Sequence, residues 1–174
     1  MNSINHRNAR CRVSVPAFLL LCLTLSGWVL SNSRAQPLPG AEQCSVTIAR
    51  PISGAQVSGI EQVDGVARKP SGQGRDLHLW VFAHRTGLAG WWPQGGGETK
   101  IVGGRWMVTA FFGEPRDIGR AFEIAAVFVE DNEHAKLLQW VQTTIDTGRY
   151  PPVNYPNAAP GCAPSDVVTV QKAS

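Results

Sequence analysis

Leu77-His78-Leu79-Trp80-Val81-Phe82-Ala83-His84-Arg85, a short glycine-bearing turn, and then Trp91-Trp92-Pro93-Gln94 form the stretch around which the chain is organised. The first nine residues read as a strand, because alternate side chains of a strand point to opposite faces. Leu77, Leu79, Val81 and Ala83 share one face; His78, Trp80, Phe82 and His84 share the other. Both faces are apolar in the middle. Such a strand is central in its sheet, and its outer face is either covered or binds something. The expected cover is the Trp91-Trp92 corner just downstream.

Working outward, Ala121 to Val129 alternates again, with Phe122, Ile124, Ala126 and Phe128 inward. It is the natural partner of Leu77–Arg85. Arg105 to Phe112 is another strand, with Trp106, Val108, Ala110 and Phe112 on one face. Upstream, Cys44 to Ala49 alternates with Val46 and Ile48 on one side, and Pro51 to Gly54 supplies a turn. Gln56 to Ala67 reads as the second strand, anchored by Val57, Val63 and Val66, with Ser58-Gly59 and Asp64-Gly65 as candidate bulges. Lys69–Asp76 and the Gly113–Gly119 segment are loops. Asp166 to Gln171 closes the fold.

Between these, Leu137, Leu138, Val141 and Ile145 fall at helical spacing, with Trp140 beside them. The pattern predicts a short helix over Glu133–Thr144, capped by Asp131 or Asn132 and packed across one end of the sheets. Residues 146–164 hold five prolines and no apolar period, so they read as a long ordered loop. The whole is predicted to be all-β: an immunoglobulin-like antiparallel β-sandwich of about seven strands with one short helix in the C-terminal part.

The first 35 residues stand apart. Arg7, Arg10 and Arg12 precede an uncharged apolar run from Val15 to Leu30, and Ser33-Arg34-Ala35 places small residues at a cleavage site. Residues 1–35 are expected to be a signal peptide, 36–43 a flexible entry with Pro37 and Pro39, and 44–174 the domain. An uncleaved anchor is the alternative, but the run is short against the about 20 residues a span requires. Cleavage leaves 139 of the 174 residues, enough for one domain. The leader takes four arginines and no acids with it. The remaining 12 basic and 13 acidic residues carry a net charge of −1. No basic stripe remains to engage a phosphate backbone, so nucleic acid is not an expected partner. Nor is membrane insertion expected after cleavage. Cys44 and Cys162 are the two cysteines left in the domain, and in an oxidising compartment they are expected to pair, two free thiols being the alternative. The expected location is periplasmic or secreted.

The order of motifs resembles a group of bacterial extracytoplasmic immunoglobulin-like or fibronectin-III-like modules. The motifs are Val46-Thr-Ile-Ala-Arg-Pro-Ile-Ser-Gly54 with a following Val57, Leu79-Trp-Val-Phe82, and Trp91-Trp-Pro-Gln94. Gly104-Arg-Trp106, Phe112-Gly113, Asp117-Ile-Gly119 and Ala121-Phe-Glu-Ile-Ala-Ala-Val127 follow. The resemblance covers Val46 to about Val129 and implies a fold rather than an activity. It carries over no catalytic residues.

Few residues point to chemistry. Trp80, Trp91 and Trp92 with Gln94 could form a stacking platform for sugar rings, with Trp106, Glu98 and Arg85 as further candidates; the alternative is that these indoles fill the core. Trp91 and Trp92 cannot both point inward from one extended strand. His78 and His84 share a strand face but lie about 20 Å apart, too far to share a metal ion. His134 sits beside Glu130, Asp131 and Glu133, which read as solvated helix-start acids. No zinc motif, phosphate loop or nucleophile elbow occurs; Lys100 after Gly95-Gly96-Gly97 is followed by Ile101-Val102 rather than a P-loop Ser or Thr. No catalytic residue, metal or cofactor is therefore expected. The reading is a non-catalytic exported module that binds an envelope protein or polysaccharide through the aromatic corner. A carbohydrate-binding module proper, a small secreted enzyme and an accessory subunit are the alternatives.

Overall fold

The computed structural model describes residues 44–70 and 75–174. The expected signal peptide and entry segment, and residues 71–74 of the Lys69–Asp76 loop, lie outside the described residues.

Nine strands and one long helix occur among the described residues. They are β1 (Ser45–Arg50), β2 (Gln56–Val57), β3 (Ile60–Arg68), β4 (Leu77–Arg85), β5 (Trp92–Pro93), β6 (Ile101–Val102), β7 (Arg105–Phe111), β8 (Ala121–Glu130), α1 (Asp131–Thr147) and β9 (Val168–Lys172). A short 3₁₀ turn covers Pro115–Asp117. One sheet runs β1-β3-β7-β6 and the other β2-β9-β8-β4-β5. The chain is mostly β, with three of the nine strands only two residues long. The β2–β9 pair is parallel, a departure from the purely antiparallel expectation.

β4 is central, as its two apolar faces require. It pairs with β8 from Leu77 opposite Glu130 to Arg85 opposite Phe122, and with β5 on its other edge. Its inward face joins Val46, Val63, Trp106, Val108 and Ala110 of one sheet to Leu79, Val81, Phe122, Ile124, Phe128 and Val170 of the other. The two sheets thus face each other across one apolar layer. Each Val, Leu, Ile or Phe side chain among them taken fully from water contributes about 1.5–3 kcal/mol.

The single strand read over Gln56–Ala67 is two. Gln56–Val57 pairs with β9 in one sheet, and after Ser58-Gly59 the chain crosses to pair with β1 and β7 in the other. Val57 and Val63 are buried, while Val66, three positions past Val63 on the opposite face of β3, points outward. Gly65 stays in the ladder because β1 and Trp106 close over it. A Cβ there would lie 1.9 Å from the Thr47 carbonyl oxygen and 2.6 Å from the Trp106 ring.

The helix is longer than its apolar period suggested and sits elsewhere. It begins directly from β8, with Glu130 as N-cap, and ends on left-handed Gly148, whose N–H bonds the Thr144 carbonyl. It packs on the outer face of the five-stranded sheet rather than across one end. Leu137 is buried there against Trp80, Phe82, Val127 and Val129, with Trp91, Val141, Val153 and Tyr155 at the margin. The cover of β4 is thus α1 and the loop after it, together with Trp91. Cys44 and Cys162 form the expected disulfide, which fastens the proline-rich loop to the start of β1.

Candidate binding cleft

Trp91 and Trp92 diverge. Trp91 exchanges two backbone hydrogen bonds with Val153 at 2.8 Å each, and its ring packs on Tyr155 and His84 in the outer core. Trp92, the next residue, turns the other way. It lines an open cleft of about 740 Å³ bounded by the end of β4, β5, the Gly113–Asp117 turn, α1 and Tyr150.

The cleft is mainly aromatic and aliphatic, and its indoles are held. Trp92 Nε1 donates to the Tyr150 carbonyl and Trp140 Nε1 to the Pro151 carbonyl, each at 2.9 Å. Tyr150 lies edge-on to Trp140, with ring centroids 6.4 Å apart. Leu88 and Ile145 are exposed at the mouth. The polar wall is Arg85 with Asp117. Arg85 Nε is 3.2 Å from Asp117 Oδ1 but misaligned for a hydrogen bond, so the contact is coulombic. Asp117 Oδ2 is fixed by the Glu114 N–H at 2.8 Å. Arg116 and Glu114 pair on the exposed rim.

The other residues read as candidates from sequence take different places. Trp80 is fully buried and presents no ring face to solvent; its Nε1 donates to His134 Nδ1 at 3.1 Å. Trp106 is also in the core. Gln94 borders the cleft but is buried. It binds the sheets together: its Nε2 donates to the Trp92 carbonyl and its Oε1 accepts the Phe111 N–H, while its own N–H donates to Val81. Trp140 and Tyr150, by contrast, carry little sequence signal of a binding role. Trp140 lies one turn before Thr144 on α1, and Thr144 also faces the cleft, which is the only local signal. Tyr150 sits in a proline-rich loop with no period to read.

The histidines also regroup. His84 Nδ1 lies 2.7 Å from the Gly90 carbonyl oxygen and serves the turn after β4. At the far end of β4, His78 stacks on His134 at 3.6 Å, beside Glu98 and Asp131. The acids next to His134 disperse: Asp131 meets His78, Glu130 meets Arg75 and Glu133 meets Lys136. Desolvation, with a further contribution from His78, holds the His134 pKa below the ordinary histidine value. Burial pushes the Tyr155 phenol up.

Comparison of the chain with known protein families and with curated proteins finds no match.

Proposed function

We propose that this protein is an exported, non-catalytic binding module with an immunoglobulin-like sandwich, and that it holds a polysaccharide segment in the cleft between Trp92 and Trp140. The observation that carries this is the fixed pair of indoles. Their N–H groups are taken up by the Tyr150 and Pro151 carbonyls, so the rings are oriented before any ligand arrives. Rigid aromatic surface costs little ordering entropy on binding. The apolar faces of sugar rings stack on indoles, and Arg85, Arg116 and Glu114 at the polar wall suit hydroxyls. The open shape admits a chain segment rather than enclosing a small molecule.

The immunoglobulin-like reading is supported by two facing sheets between which the chain crosses repeatedly, at β1–β2, β2–β3, β3–β4, β5–β6 and β7–β8. Export is supported by the leader pattern and by the Cys44–Cys162 disulfide. No helix among the described residues is long and apolar enough to cross a membrane.

The test is retention of the disulfide-bonded protein on a panel of insoluble polysaccharides, beside Trp92→Ala and Trp140→Ala. Retention lost in both variants, with their far-ultraviolet spectra unchanged, is the expected result. Retention that survives both substitutions places the site elsewhere.

A second reading has its own observation. On the outer face of the four-stranded sheet, Ile60 and Phe111 are directly paired, and Met107 lies on the same strand face. All three are more than half exposed, at 58%, 57% and 58%. An envelope protein docked on this face would be lost with Ile60→Glu and Met107→Glu, neither of which borders the cleft, and would be indifferent to Trp92→Ala.

A further inference from the structure

At the end of β4 remote from the cleft, three elements converge. His78 comes from β4, Glu98 from the β5–β6 connection and His134 from the first turn of α1. One ligand-capable atom of each lies within 4.8 Å of the others.

The His78 ring is oriented by Asp131. Its Nε2 is 2.9 Å from Asp131 Oδ1, a contact in which the nitrogen donates. With the proton on Nε2, Nδ1 carries a lone pair. That atom is shielded from solvent and lies 3.1 Å from Glu98 Oε1, yet the pair lacks hydrogen-bond alignment. A neutral imidazole nitrogen and a carboxylate facing each other in this way repel unless a proton or a metal ion lies between them. Their separation is near the about 3.3 Å edge expected for two ligands on a tetrahedral ion with bonds of about 2.0 Å. A carboxylate behind the distal nitrogen is also how proteins orient metal-bound imidazoles.

His134 supplies the third donor, at a cost. Its Nδ1 accepts from Trp80 Nε1 at 3.1 Å, and its ring lies parallel to that of His78, with the planes 6° apart. Stacked imidazoles direct their lone pairs side by side, so both cannot serve one ion as they stand. His134 must turn out of the stack and release Trp80. The ion and the Trp80 N–H therefore compete for one imidazole, which gives occupancy a signature in a buried residue.

We propose that His78, Glu98 and His134 form a site for a divalent transition-metal ion of the zinc and copper class. Bound there, the ion clamps the first turn of α1 and the β5–β6 connection to β4. Two imidazoles and one carboxylate favour such ions over calcium and magnesium, which take oxygen ligands. The site is separate from the cleft and does not depend on what the cleft binds.

The experiment is calorimetric titration of Zn²⁺ into the disulfide-bonded protein, with Ca²⁺ as control, while the indole N–H resonance of Trp80 is followed by ¹⁵N NMR. The expected result is one ion per chain, no response to Ca²⁺, and a displaced Trp80 resonance. Glu98→Gln and His134→Gln should each weaken Zn²⁺ binding more than about tenfold, and Asp131→Asn by about tenfold. Circular dichroism on the same samples confirms that the near-isosteric variants are folded. Absence of one-to-one binding overturns the proposal. So does unchanged affinity in folded Glu98→Gln and His134→Gln, or binding that leaves the Trp80 resonance in place.

Discussion

The indole nitrogen of Trp92 donates to the carbonyl of Tyr150 across 2.9 Å, tying the edge strand β5 to the loop that follows α1. This bond closes one side of the cleft and sets the angle of its principal ring. Trp92→Phe keeps an aromatic face but removes the donor. It should lower unfolding free energy by about 1 kcal/mol and weaken polysaccharide binding less than Trp92→Ala does. Urea denaturation and affinity electrophoresis on the three proteins check both parts.

Gln94 shows how position overrides chemical type. From the sequence it was a candidate for bonding sugar hydroxyls. In the fold both ends of its amide are occupied, by the Trp92 carbonyl and the Phe111 N–H. Gln94→Leu would strand two polar backbone groups near the core. The expected effect is a loss of about 2 kcal/mol or more in stability, measured by thermal or urea unfolding.

The same contrast explains what the sequence made legible. Period-two alternation located β4, β7 and β8 and their inward faces, because the inward side chains of each are packed between the sheets. It did not show the crossing at Ser58-Gly59, which puts Gln56–Val57 and β3 in different sheets, and Val66, read as an anchor, falls on the face of β3 opposite Val63. The helix was visible in Leu137 and Val141, but its docking face was not: it depends on Trp80 and Phe82, which lie more than fifty residues earlier in the chain. The cleft was half legible. Trp92 stood out as the second of two adjacent aromatics, whereas Tyr150 enters only through a backbone carbonyl and a ring contact with Trp140. His78 and His134, 56 positions apart, meet because α1 folds back over β4, and no local spacing announces that.

The disulfide joins residues 118 positions apart. In the chain-entropy account a loop of that size removes about 4–5 kcal/mol of unfolded-state freedom. Replacing both cysteines by serine should lower the urea midpoint by a corresponding amount. It should also loosen the 148–164 loop, whose Pro151 and Tyr150 carbonyls hold the cleft indoles. Limited proteolysis should cut that loop in the variant before it cuts the β4–β8 ladder.

Tyr155 sits against Phe82 and Trp91 in the outer core, and burial raises its phenol pKa above the ordinary 10.0. The folded protein therefore holds this proton to a higher pH than the unfolded chain. The resulting contribution is intact below pH 10.0 and is lost as pH rises through the folded value. Tyr155→Phe should show a smaller fall in stability than the parent between about pH 8 and about pH 11. Urea midpoints at both pH values, compared between the two proteins, give the answer.

The central claim is that the Trp92–Trp140 cleft holds a polysaccharide segment. Its most direct test is a ¹⁵N NMR titration of the disulfide-bonded protein with soluble oligosaccharides from whichever polysaccharide retains it. The account predicts saturable shifts in the indole N–H resonances of Trp92 and Trp140, with those of the buried Trp80 and Trp106 unmoved. Saturation that leaves Trp92 and Trp140 in place would contradict it, as would failure of every polysaccharide in the panel to retain the protein.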